Sequence, residues 1–262
     1  MINDFINIFI YYMDILYIIP FIIGCLLLYK IITQTLPIII PKNIFQTWNT
    51  LDLPPKMQNA VNKLKTDHPE FAYYLYDDVM CRDFIRLHFD KRVVDAFDTL
   101  RPGAYKADLW RYCILYIMGG IYLDIKYECV GGFSLSQLLD REYFVLDRPG
   151  WWKKGQIGIY NGVMVCGANN PILRIAIDKI VENVEKRDYG MNILYPTGPG
   201  LLGEVHGNDT SQFVLSYKHP EEIIHTVKGC ILKGYNGYRT EQKQFHPLET
   251  YHELWPKGKI FN

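Results

Sequence analysis

Apolar residues crowd the start of the chain. From Phe5 to Ile40 the sequence reads FINIFIYYMDILYIIPFIIGCLLLYKIITQTLPIII, and only Asp14 and Lys30 carry charge. The uncharged run Ile15–Tyr29 lengthens if Lys30 snorkels, approaching the ~20 helical residues that cross a ~30 Å bilayer core. Neither a basic start nor a small-residue cleavage site accompanies it, so an uncleaved anchor is expected rather than a signal peptide. Residues 1–39 are read as an N-terminal transmembrane helix and residues 40–262 as one domain.

Beyond Pro41 the periodicity alternates between 2 and 3.6. KNIFQTW (42–48) reads as a first strand, and LDLPP (51–55) as a break. Met57, Val61 and Leu64 mark a helix closing before Pro69. EFAYYLYDD (70–78) reads as a strand, and VMCRDFIRLHF as a helix. AYKADLWRYCILYIMGG (104–120) is a strongly apolar helix stopped by Gly119 and Gly120. IYLDI (121–125), YFVLDR (143–148) and GVMVCG (162–167) read as strands, and NPILRIAIDKIVENVEK (170–186) as a helix. The tail after Thr197 looks loop-rich. Strands alternating with helices predict an α/β architecture around a mostly parallel mixed sheet.

Composition adds three constraints. The net charge is zero with no basic stripe, which gives nucleic acid no footing as a partner. Cysteines 81, 113, 129, 166 and 230 are scattered and odd in number beyond the span, which is no disulfide framework. Lys30 and Lys42 follow the span while no Lys or Arg precedes it, which puts the body on the cytoplasmic side by the positive-inside rule.

Candidate chemistry gathers around the central helix and the strand after it. Asp108 and Arg111 emerge on one helical face that is otherwise apolar, as a structural ion pair or as part of a site. In the strand, Tyr122 and Asp124 share one face, with Ile121, Leu123 and Ile125 on the other. Asp124 then arrives at the C-terminal edge, where open α/β sheets bind ligands. If the strand continues, Asp124, Lys126 and Glu128 share a face, and Lys126 can pair with Glu128. GWWKKG (150–155) reads as a surface loop, with two tryptophans beside two lysines. The histidines lack zinc-ligand spacing.

YKADLWRYCILYIMGGIYLDIKYECV (105–130) resembles the core of the DXD-containing sugar transferases, glycosyltransferase family 32. That family pairs a K-A/S-D-x-x-R-Y helix with G-G-I-Y-x-D-x-D. IPKNIFQTWN, HPEFAYYLYDD, NGVMVCGANNP and PTGPG are similar to its other landmarks, and YHELW matches more loosely. The resemblance implies a GT-A-type nucleotide-sugar transferase fold and retaining transfer of a hexose from a GDP- or UDP-linked donor. The acceptor would be a glycan or a lipid-linked acceptor such as a glycolipid, with membrane lipid as a further partner through the N-terminal helix. It further implies that Trp48 stacks on the base and that Asp108 bonds ribose or sugar hydroxyls. Arg111 would hold the donor, Asp124 would contact ribose, sugar or a metal-bound water, and Asn161 and Gly162 would line the sugar pocket. The family's lumenal habit opposes the sidedness read from the lysines.

Lys126 departs from the pattern. In the family a divalent ion such as Mn²⁺ meets the second acid of the motif, and lysine would repel that ion. Three readings stay open. The Lys126 ammonium takes the metal's place, or a metal binds through Asp124, Glu128 or His252. Otherwise the chain is a catalytically inactive binding or scaffold protein.

Overall fold

In the computed structural model, which describes residues 18–25, 38–207, 213–245 and 249–262, the chain divides at residue 38 into two separate units. In the first, residues 18–25 are helical and expose Ile18, Phe21 and Ile23. Most of the expected anchor, residues 1–39, lies outside the described residues. Among the described residues no helix is long and apolar enough to cross a membrane.

The second unit is built on strands β1 (Asn43–Thr47), β2 (Ala72–Tyr76), β3 (Gly120–Leu123), β4 (Tyr127–Cys129), β5 (Tyr143–Asp147), β6 (Gly158–Cys166), β7 (Leu215–Lys218), β8 (Ile223–Thr226) and β9 (Gly229–Gly234). Among the described residues they form one sheet in the order β2-β1-β3-β6-β5-β7-β8-β9-β4. Three of the eight pairings are parallel, β1–β2, β1–β3 and β5–β7, and the rest are antiparallel. The sheet is mixed, but the expected parallel majority is corrected. β5 returns into β6 through residues 148–157, and β7, β8 and β9 form an antiparallel meander in the stretch read as loop.

This order has a geometric consequence. β3 and β4 are separated by only residues 124–126, yet one lies inside the row and the other at its far end. A chain spans at most ~3.3–3.6 Å per residue, so the β7-β8-β9-β4 arm must curl back over the C-terminal end of β3. Residues 124–126 therefore sit where the two halves of the sheet meet.

Helices α1 (Pro55–Asp67), α2 (Asp78–His88), α3 (Lys91–Thr99), α4 (Gly103–Met118), α5 (Pro171–Glu185), α6 (Pro199–His206), α7 (Tyr238–Phe245) and α8 (Tyr251–Leu254) complete the unit. Asp77, Asp90 and Asn170 cap α2, α3 and α5 by accepting bonds from the first-turn amides, the expected role of short polar side chains there. α4 buries nine side chains from Tyr105 to Leu115, including both Asp108 and Arg111, because it packs on several sides. It ends at Gly119, whose φ of +60 favours glycine; a Cβ there would lie 2.7 Å from the Ala168 amide nitrogen.

Period-2 alternation divides the core as expected. Phe45, Tyr122 and Met164 join the cluster formed with α2 to α6. Ile44, Ile121, Leu123, Val163 and Val165 face a second cluster with Leu135 and Tyr127.

Candidate active site

A cavity of about 1070 Å³ opens along one edge of the sheet. Strand direction explains its walls. β1 and β3 run parallel, so Trp48 and Asp124 leave the sheet at the same edge. β6 runs antiparallel to β3 and brings its first half, Tyr160 and Asn161, to that edge. α4 supplies Asp108 and Arg111 from beside it.

The polar side chains form a row of alternating charge. Arg111 lies 3.5 Å from Asp108 and 3.4 Å from Asp124. Lys126 Nζ lies 3.5 Å from Asp124 Oδ2 and 2.8 Å from Glu222 Oε2, and Arg239 pairs with the other Glu222 oxygen. Neighbouring polar groups hold each member in place. Asn161 Nδ2 donates to Asp108 Oδ1 at 2.8 Å, and the Thr197 hydroxyl donates to Oδ2 at 2.7 Å. Arg111 Nη1 donates to the Asn161 carbonyl at 2.8 Å, and its guanidinium lies 4.3 Å from the centre of the Tyr122 ring. The Tyr122 and Tyr160 hydroxyls donate to the two oxygens of Asp124 at 3.1 and 3.2 Å.

These surroundings tune the two aspartates in opposite directions. Burial is the largest influence on both carboxyls and favours the neutral form. It prevails at Asp108, which is raised despite Arg111 and the bonds from Thr197 and Asn161. At Asp124 the cations Arg111 and Lys126, with the two tyrosine hydroxyls, outweigh burial and hold the carboxyl below its ordinary range. Asp124 is therefore a carboxylate at neutral pH, compensated by cations on both sides.

The turn after β3 overturns one expectation. The Tyr127 amide donates to the Asp124 carbonyl at 3.1 Å, and Ile125 packs with Trp48, Met57 and Tyr235. The strand is broken there, so Asp124, Lys126 and Glu128 do not share a face. Lys126 turns into the cavity wall and pairs with Asp124 and Glu222 rather than with Glu128. Glu128 lies on β4 opposite Lys233, outside the cavity lining.

A divalent ion does not fit this arrangement. Among the described residues no group of three His, Cys, Asp or Glu side chains could hold one. Asp124 already accepts from two phenols and is flanked by two cations that would repel a metal. His252 lines the cavity, and burial together with Arg239 lowers its pKa. It is not grouped with Asp124 and Glu128.

Residues 54–145, which carry Asp108, Arg111, Asp124 and Lys126, match the family described as the glycosyltransferase sugar-binding region containing DXD motif. The chain is 31% identical to inositol phosphoceramide mannosyltransferase 3 of Schizosaccharomyces pombe, over 62% of this chain and 44% of that protein. It is 30% identical to the mannosyl phosphorylinositol ceramide synthase SUR1 of Saccharomyces cerevisiae, over 64% and 42%. An uncharacterized glycosyltransferase of Acanthamoeba polyphaga mimivirus is 28% identical over 73% and 77%. The chain thus spans less than half the length of these two yeast relatives. Where this glycosyltransferase family is named for D-x-D, the chain reads Asp124-Ile125-Lys126.

Four of the residues expected to bind a donor meet directly: Asp108, Arg111 and Asn161 through hydrogen bonds and ion pairs, and Asp124 through Arg111. Trp48 lines the same cavity. Gly162 stands behind Asp124; its carbonyl accepts the Asp124 amide at 2.7 Å, and a Cβ on it would lie 2.5 Å from Asp124 Oδ2.

Glu222, Arg239, Tyr160 and Tyr238 were not legible as site residues. Tyr160 lies just before the stretch read as a strand, and the others lie in the tail. LSYK and IIHT, which flank Glu222, alternate as strands do. In GWWKKG, Trp152 Nε1 donates to both the carbonyl and the carboxylate of Asp147 at 3.1 Å and fixes the loop. Trp151 remains half exposed at the cavity rim, with Arg148 4.0 Å from the centre of its ring.

Proposed function

We propose that the chain is a retaining hexosyltransferase of GT-A type that uses a GDP- or UDP-linked hexose and works without a divalent metal. The observation that carries this reading is the Lys126 ammonium at the position of the motif's second acid, buried in the cavity wall between Asp124 and Glu222. Breaking the bond between the sugar's anomeric carbon and the diphosphate oxygen builds negative charge on the leaving group. A fixed cation in a water-poor site stabilises that charge without reorganising.

The remaining roles follow from position. Trp48 presents an aromatic surface for the base, and Arg111 a planar donor for diphosphate or sugar. Asp108 and Asn161, bonded to each other, accept from and donate to sugar hydroxyls. Asp124 is compensated by cations and orients ribose or sugar. Gly162 leaves room for its carboxylate. The names of the yeast relatives favour mannose as the hexose and a phosphoinositol-type lipid as the acceptor. A lipid acceptor suits attachment to the membrane through residues 1–39, which the uncharged run Ile15–Tyr29 supports.

The test is a screen of the full chain against UDP- and GDP-hexoses for hydrolysis and transfer, beside Asp124→Ala. One donor class should be turned over, and Asp124→Ala should lose about 100-fold or more with its circular dichroism spectrum unchanged. Failure to bind or turn over any donor contradicts the reading and leaves a non-catalytic binding protein.

A further inference from the structure

We infer that Arg239 of α7 is a second anion-binding residue, and that it forms with Lys126 a two-cation clamp for the diphosphate, with Glu222 as the positioning residue behind both. This rests on the proposed use of a nucleotide-sugar and names the group that holds its diphosphate.

The row of six charges ends at Arg239, and the members differ in what they present to the cavity. Asp108, Arg111, Asp124, Lys126 and Arg239 all line it, whereas Glu222 does not. The shared acid therefore stands behind two cations that face the open space. Glu222 has 11% of its side chain exposed, Lys126 5% and Arg239 62%, so the clamp joins one fixed cation to one accessible cation.

Donor geometry supports the assignment. Arg239 meets Glu222 through Nε and Nη2 and Gln242 Oε1 through Nη1 at 3.1 Å, which leaves two of an arginine's five N–H donors, one on each Nη, unused. It keeps donors for a phosphate, which guanidinium binds through two parallel bonds. Lys126 has three donors and contributes as a point charge, with its Nζ 5.6 Å from the centre of the Tyr238 ring, beside Arg239 in sequence. A diphosphate carries more than one negative charge and is matched better by two cations than by one.

The fold explains how two residues so far apart in sequence share one acid. Lys126 lies in the turn before β4, Glu222 just before β8, and the Gly234 amide of β9 donates to the Glu222 carbonyl at 3.1 Å. α7 is fixed to α1 by Glu241, which accepts the Lys56 and Met57 amides at 2.9 and 3.0 Å and the Tyr235 hydroxyl at 2.7 Å. That attachment keeps Arg239 on the cavity wall before any ligand arrives.

The experiment is calorimetric binding of GDP, UDP and inorganic pyrophosphate to the full chain in EDTA, with guanosine and uridine as controls. Arg239→Gln should weaken binding of pyrophosphate and of the preferred nucleoside diphosphate about tenfold to a hundredfold, one or two charge-assisted bonds, and leave the nucleoside alone unchanged. Arg239→Lys should recover only part of the loss for the diphosphate, because the charge is restored without the two parallel bonds. A merely structural role would weaken nucleoside and diphosphate alike. Diphosphate binding that is tight in EDTA and unchanged in Arg239→Gln overturns the clamp and leaves the proposed function standing. Binding that appears only with Mn²⁺ overturns the clamp as well. No binding of either nucleoside diphosphate under any condition removes both.

Discussion

Lys126 Nζ meets Glu222 Oε2 at 2.8 Å across the curl of the sheet, and the same ammonium lies 3.5 Å from Asp124. Two carboxylates that would otherwise repel each other are joined by one lysine. Lys126→Asp should therefore convert the cation position into a three-carboxylate cluster, the oxygen-rich chemistry that hard divalent ions take. Electron paramagnetic resonance should detect Mn²⁺ bound to the variant and none to the parent. Turnover of the variant should rise about tenfold or more on adding the ion. An unchanged metal response would remove Lys126 from the diphosphate site.

Gly162 tests how closely Asp124 must be held. A Cβ there would stand 2.4 Å from the Tyr160 hydroxyl and 2.5 Å from Asp124 Oδ2, so both side chains must shift. Gly162→Ala should cost about 1–3 kcal/mol by overpacking. It should lower kcat/KM about 100-fold, because a displacement near 1 Å at the reacting centre costs that much. Urea unfolding and steady-state kinetics separate the two effects. Parental kinetics would show that the position of Asp124 is not critical.

The two aspartates predict opposite pH dependences. Asp124 is held below its ordinary value of 3.8, so its contribution to stability is complete above that value and is lost as pH falls below it. Asp108 is raised, so its contribution is complete below the ordinary value and fades as pH rises through the shifted one. Urea unfolding between pH 3 and 8 should show Asp124→Asn flattening the acid limb. Asp108→Asn should flatten the opposite slope above pH 4. Parallel curves for parent and variants would contradict the assigned environments.

How much of the site the sequence carried depends on range. α4, the Gly119-Gly120 stop and the Tyr122–Asp124 face were legible, because each rests on local periodicity and on glycine's backbone freedom. The break at Asp124 was not. The alternation Tyr122, Asp124, Lys126, Glu128 continues in the sequence, but burial of Ile125 against Trp48 and Met57 turns the chain. Glu222 and Arg239 were out of reach for another reason. They join the site only because the β7-β8-β9-β4 arm curls back, and strands of three to six residues leave a weak signal.

The most direct measurement is the rate of donor hydrolysis and transfer by the full chain in EDTA compared with added Mn²⁺. With the Lys126 ammonium in the metal's place, the rate is the same in both within about twofold, and Lys126→Met lowers it about 100-fold or more in both. A rate abolished by EDTA and restored by Mn²⁺ would contradict the account.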